Sequence, residues 1–248
     1  MFSLEGQVAV LTGASGGLGH RFARVLHEAG AHVVLAARRK GRLVDLAVEL
    51  DRATVVECDV TSDADRERLI EQALHVTGRL DLFVNNAGIS LAGPAAEQST
   101  DDFRRTIEVN LTSVFVLCKL AAAHMVEQGG GTIINVASML GVVAATPVSD
   151  AAYAASKAGV INLTRELAAQ WGREGVRVNA LAPGWFPTEM SARLFGDERS
   201  MRWLRRNTMV GRAGQLEELD AALLLLAASS NSYMTGHVLL VDGGWTAR

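Results

Sequence analysis

Short β-branched, apolar runs alternate with longer helical stretches from one end of this chain to the other, and no other feature restricts its fold so much. Residues 7–11 (QVAVL), 32–36 (HVVLA), 54–57 (TVVE), 80–84 (LDLFV), 132–136 (TIINV), 176–181 (VRVNAL) and 237–241 (HVLLV) read as strands. They are nearly continuous apolar runs, as expected of parallel strands covered on both faces. Helical patterns fill the intervals at 18–28, 43–51, 64–76, 100–128, 151–171 and 216–229. Such alternation predicts one α/β domain over residues 1–248. Its core is a doubly wound, Rossmann-type parallel sheet of about seven strands with right-handed crossovers. Residues 184–210, rich in Arg, Met, Trp and Phe, break the pattern after the sixth strand. That point lies at the carboxyl edge of the sheet, where such folds bind ligands. This segment is expected to act as a substrate lid.

Half of the chain is apolar (49%) and 21% is charged, enough to bury a sizeable core. The net charge of −3, with no long block of one sign, argues against nucleic acid or an acidic membrane surface as partner. The two cysteines, Cys58 and Cys118, belong to no C-x-x-C pair, so neither a metal site nor a disulfide is expected. The first residues lack a charged region followed by a long apolar one, and no stretch approaches about 18 uninterrupted apolar residues. A cytoplasmic protein without a membrane span is the expectation.

The first strand runs into Thr12-Gly13-Ala14-Ser15-Gly16-Gly17-Leu18-Gly19 and then a helix. Glycines permit the tight turn and let the backbone approach a pyrophosphate closely. The helix N-terminus adds unpaired N–H groups and the positive end of a dipole. Strand, loop and helix in this order predict a dinucleotide site. Its candidates are Gly13, Ser15, Gly16, Gly17, Leu18 and Gly19. At the end of the second strand, NAD binders tend to carry an acidic residue for the ribose 2′-OH. Here Ala37 is followed by Arg38 and Arg39. A guanidinium pairs with a 2′-phosphate where a carboxylate repels it, so NADP(H) is favoured over NAD(H). Asp59, with Val60 beside it, follows the third strand and either contacts the adenine or caps the next loop.

Tyr153 and Lys157 stand four apart in a helical pattern and share one face. The chain has only two tyrosines and three lysines, so the pair is not a frequent accident. A free phenol is a poor base near neutrality, and a nearby ammonium or an oxidised nicotinamide lowers its pKa. Tyr153 then exchanges a proton with a substrate oxygen. Ser138, at the end of the fifth strand, is placed to hydrogen-bond that oxygen. Asn110, locally unfavourable inside a long helix, is expected to hold a water linking Lys157 to solvent.

Taken together, these motifs resemble those of the short-chain dehydrogenase/reductase family, in its small single-domain branch. The resemblance rests on T-G-x-x-x-G-x-G from Thr12 to Gly19, Asn85-Asn86-Ala87-Gly88, Asn110, Ser138 and Tyr153-x-x-x-Lys157. It extends to Asn179, Pro183-Gly184 with Thr188 downstream, and Val241-Asp242-Gly243-Gly244. It implies a catalytic tetrad of Asn110, Ser138, Tyr153 and Lys157, with Lys157 also holding the nicotinamide ribose. It implies that Asn86, Ala87 and Gly88 line the adenosine-ribose side. Pro183, Gly184 and Phe186 would bind the cofactor, and Thr188 would contact the nicotinamide carboxamide or a phosphate. It further implies a homotetramer built on helices 100–128 and 151–171 and the last strand.

The residues expected to face the substrate are Ser138, Met139, Leu140, Ala145, Tyr153, Trp185 and Met190, with Val143, Leu194 and Phe195 nearby. This apolar set suits a ketone, a secondary alcohol or a 3-oxoacyl group. The alternatives are an NAD(H)-dependent sugar or polyol dehydrogenase of the same family, and a non-catalytic dinucleotide sensor.

Overall fold

The computed structural model describes residues 2–144 and 149–247. The elements follow the alternation: β1 (Val8–Thr12), α1 (Gly17–Glu28), β2 (His32–Ala37), α2 (Lys40–Glu49), β3 (Ala53–Glu57), α3 (Asp63–Thr77) and β4 (Leu82–Asn85). They continue with α4 (Thr100–Ile107), α5 (Ser113–Glu127), β5 (Gly131–Val136), α6 (Ala151–Trp171) and β6 (Val176–Pro183). The chain ends with α7 (Ala192–Phe195), α8 (Glu198–Asn207), α9 (Asp220–Ala227) and β7 (Val238–Val241). All seven strands pair in parallel in the order β3-β2-β1-β4-β5-β6-β7. The sequence runs outward one way from β1 to β3, then the other way from β4 to β7. This reversal leaves a crevice between β1 and β4 at the carboxyl edge.

The strands are mostly apolar because each feeds two cores. In β1, Val8 and Val10 join the cluster under α3, α5 and α6, while Ala9 and Leu11 join the one under α1, α2 and α9. Side chains alternate faces along a strand, so a strand covered on both sides leaves little room for a charge. Some short polar side chains within the sheet bond to one another. Asn85 donates to Asn135 at 2.9 Å, and Asn135 donates to Thr164 at 3.0 Å, all three fully or nearly buried.

The expected long helix 100–128 is interrupted. Between α4 and α5, residues Glu108–Thr112 form a π-helical turn with Asn110 buried inside it. A π turn shifts the following residues around the axis, which rotates one side chain out of the helical register. By length and composition, helix Thr100–Glu127 is apolar enough to cross a membrane, the one such helix among the described residues. In this fold it packs against β4, β5 and α6. Within 184–210 the chain forms α7 and α8, and α8 carries its buried Leu204 toward the body of the protein.

Candidate active site

A cavity of about 1140 Å³ runs along the carboxyl edge of the sheet. Gly13, Ser15, Gly16, Gly17 and Leu18 form its floor, with Arg38, Arg39, Asp59 and Val60 at the far end. Asn86, Ala87 and Gly88 rise between them and the centre. Ser138, Met139, Leu140, Tyr153 and Lys157 line the opposite part, and Pro183, Gly184, Trp185, Phe186, Thr188 and Met190 close it from above. Two expected site residues stand apart from this wall. Gly19 is buried behind the loop, where an added Cβ would strike the carbonyl of Gly13, so it serves close packing. Asn110 lies one layer deeper. Ala145 lies outside the described residues. Of the neighbours, Val143 packs on the tryptophans above and Phe195 faces an adjoining pocket.

The loop has the form a pyrophosphate needs. Gly13 and Gly17 adopt φ of 69° and 55°, and a Cβ on Gly13 would come within 2.9 Å of the Ala87 backbone. No side chain caps α1 and no acidic residue stands in its first turn, so its leading N–H groups are left for an anion. The Thr12 hydroxyl accepts from the N–H groups of Asn86 and Ala87 at 3.0 and 3.1 Å. Asn86 in turn donates to the carbonyls of Thr12 and Gly13. This ties the Asn-Asn-Ala-Gly turn to the glycine loop across the crevice. Asp59 folds its carboxylate back onto Thr61, accepting from its N–H and hydroxyl at 2.9 and 2.7 Å. It caps its own loop, the second of its two expected roles.

Helix α6 fixes the reactive pair. Asp150 caps it, accepting from the Tyr153 N–H at 3.1 Å with one oxygen and from the Ser90 hydroxyl at 2.6 Å with the other. One turn on, Lys157 donates to the Val136 carbonyl at 2.7 Å, and its Nζ lies 5.6 Å from the centre of the Tyr153 ring. Burial draws the Lys157 ammonium down to about 8. Burial pushes the Tyr153 phenol up to about 12. Its hydrogen bond with Ser138 opposes the rise and the Asp150 charge adds to it. The lowered phenol expected from the Tyr-Lys spacing is therefore not found in the protein alone. The ammonium is itself desolvated and turned onto a carbonyl, so the cost of burying a phenolate dominates.

Asn110 is tied to protein groups on both sides of its amide. Its amide donates to the Ile89 carbonyl at 2.8 Å and to the Ser156 hydroxyl at 3.1 Å, while its oxygen accepts from the Ile89 N–H at 2.8 Å. Both amide hydrogens are committed to protein, so neither is left for a water. The π turn aims Asn110 at the loop after β4 and pins it. A Cβ on Gly88 would meet Asn110 Oδ1 at 3.3 Å and Lys157 Nζ at 3.6 Å, so the pinned loop packs directly on the lysine.

Two groups escaped the sequence reading. Trp185, Trp203 and Trp245 stack edge to face with centroids 4.9–5.8 Å apart, resting on Met139 and Leu140. The buried Trp185 N–H has no acceptor among the described residues. Glu189 pairs with both Arg39 and Arg42. Tryptophan content alone hinted at the first, and nothing local signals the second.

Residues 13–246 match the family model described as enoyl-(acyl carrier protein) reductase. The chain is 38% identical to gluconate 5-dehydrogenase from Gluconobacter oxydans, over 99% of this chain and 97% of the relative. It is 40% identical to cis-4-hydroxycyclohexanecarboxylate dehydrogenase from Sinomonas cyclohexanicum, over 97% of each. The solved structure of a gluconate 5-dehydrogenase from Burkholderia cenocepacia, in complex with NADP and tartrate, has a TM-score of 0.95. It is 36% identical and covers 100% of this chain and 98% of that one. With a family model over residues 13–246 and relatives 36–40% identical over nearly the whole of both chains, the chain belongs to the short-chain dehydrogenase/reductase family, the NAD(P)-binding oxidoreductases that act on alcohol and ketone groups.

Proposed function

We propose that this protein interconverts a ketone, or a 3-oxoacyl group, and a secondary alcohol with NADP(H), using Tyr153 as the acid/base. The observation that carries the reading is the meeting of Ser138, Tyr153 and Lys157 with the glycine loop on one cavity wall. The nicotinamide, when bound, supplies or accepts the hydride. In the reducing direction the Tyr153 phenol, protonated throughout the neutral range, gives its proton to the substrate oxygen. Ser138 donates a hydrogen bond to the same oxygen as negative charge develops there. The Lys157 ammonium, one helical turn away, offsets the phenolate left behind. Gly13, Ser15, Gly16, Gly17 and Leu18 would hold the pyrophosphate. Arg38 is exposed and makes no ion pair among the described residues, which supports its pairing with a 2′-phosphate.

Met139, Leu140, Trp185 and Met190 give the substrate end apolar walls, which suit a ring or chain ketone. In this reading the whole chain is one domain, residues 184–210 close over the substrate and exclude water, and the enzyme is a cytoplasmic homotetramer. A second reading, a polyol acid as substrate, is favoured by the gluconate 5-dehydrogenases among the relatives and by Ser90, Asp150 and Arg193 on the same cavity. A panel of alicyclic ketones, 3-oxoacyl thioesters and gluconate, followed at the nicotinamide absorbance with both cofactors, decides between them. Tyr153→Phe should lower turnover by about 10²–10⁴-fold while NADPH still binds. Turnover surviving in that variant overturns the assignment of Tyr153.

A further inference from the structure

We infer that Glu189 sets the cofactor preference by competing with a 2′-phosphate for the guanidinium of Arg39. The inference rests on the reading that this cavity takes a nicotinamide dinucleotide.

Arg39 follows the end of β2, where an adenosine ribose would present its 2′ position. Its guanidinium is already engaged on three sides. Nε donates to the Ser15 hydroxyl at 3.1 Å, Nη2 to the Ser15 carbonyl at 3.2 Å, and Nη1 to Glu189 at 2.8 Å. The other carboxylate oxygen of Glu189 accepts from Arg42. One carboxylate thus bridges two arginines, 150 and 147 residues away in the chain. It lies directly over the phosphate loop, where a Cβ on Gly16 would meet Arg39 Nη2 at 3.0 Å and Glu189 Oε1 at 3.2 Å. Thr188, the preceding residue, packs on Gly17. The arginines hold the Glu189 carboxyl below the usual range, so it stays anionic at neutral pH.

The arrangement puts a built-in anion on one of the two arginines offered to a 2′-phosphate. The side chains of Arg39 and Glu189 are 46% and 57% exposed. An ion pair so exposed is weak and exchangeable. A phosphate monoester carries about −1.5 to −2 charges at pH 7 and three acceptor oxygens, and displaces a single carboxylate from a guanidinium. NAD(H) brings no such anion, so with it Arg39 stays on Glu189. Glu189 therefore weakens NADP(H) binding selectively and narrows the preference that Arg38 and Arg39 create.

The test is titration of the full-length protein with NADPH and with NADH, read by nicotinamide fluorescence, in four forms: wild type, Glu189→Gln, Arg39→Ala and the double variant. Glu189→Gln should tighten NADPH about two- to fivefold, the measure of one exposed ion pair, and should leave the NADH dissociation constant within error. In the Arg39→Ala background the same change should do nothing for NADPH. If Glu189→Gln weakens NADPH, or shifts both cofactors equally, the competition is overturned. An effect that persists without Arg39 also overturns it, because it would report the general field of the site. Wild-type protein binding neither dinucleotide would instead bring down the reading of the cavity itself.

Discussion

Lys157 is a cation buried beside the sheet. It is 4% exposed, and its ammonium is bonded to the Val136 carbonyl. Burial lowers its pKa from 10.5 to about 8 in the folded chain. Between those two values the unfolded chain binds the extra proton, so stability rises with pH through that window and the penalty is complete below about 8. At 1.36 kcal/mol per unit, the penalty is about 3 kcal/mol. Lys157→Met, similar in length and apolar, should stabilise the protein by about 2–3 kcal/mol at pH 7, with the gain shrinking toward pH 10.5, while activity is lost. Urea unfolding of both forms across that range measures this. A stability gap that is flat with pH, or a variant less stable at pH 7, sinks the argument. The sequence showed the Tyr-Lys pair but not the sign of its electrostatics. Spacing says which side chains share a helix face, whereas a pKa depends on how much water the folded surroundings remove.

Among the elements, the π turn at Glu108–Thr112 does most to shape the site. Asn110 makes three hydrogen bonds to Ile89 and Ser156 and so satisfies the backbone of a partly buried loop. Replacing it by leucine leaves the Ile89 N–H and carbonyl without partners. The cost should be about 2–4 kcal/mol, since each orphaned polar group costs about 1–3, and dinucleotide affinity should fall with the loop. Denaturant titration together with NADPH binding checks both effects. A variant within 0.5 kcal/mol of wild type, a margin typical of roughly neutral surface changes, would show that the turn is held by something else. The strands were legible because parallel strands with two covered faces leave a continuous apolar signature, as in β1 and β2. Helix α6 was legible to the residue because its polar-to-apolar change coincides with its Asp150 cap. The π turn was not, because a shifted hydrogen-bond ladder is chosen by tertiary partners such as Ile89, and periodicity averages over it.

At the scale of the whole molecule, what joins distant parts of the chain was the least legible. Glu189 meets Arg39 and Arg42, and Trp185 meets Trp203 and Trp245, across separations on which a linear pattern carries no information. The tryptophans join three separate pieces: the loop after β6, helix α8, and the C-terminal turn Trp245–Ala247. Trp245 is 4% exposed and touches both other rings. It thus ties the C-terminal turn to the segment 184–210, part of which lines the cavity. Trp245→Ala should remove about 3–5 kcal/mol of stability by opening a void among the rings. Its effect should also be directional. Helix α8 loses its apolar support, so trypsin should cleave faster at Arg202, Arg205 and Arg206, and substrate KM should rise. The glycine loop and Arg38 lie at the opposite end of the cavity, so NADPH affinity should hold within about twofold, as for sites that do not share partners. Equal proteolysis of the two proteins, or an equal loss of cofactor and substrate affinity, would mean that the tryptophans stabilise the fold as a whole and do not govern the cover.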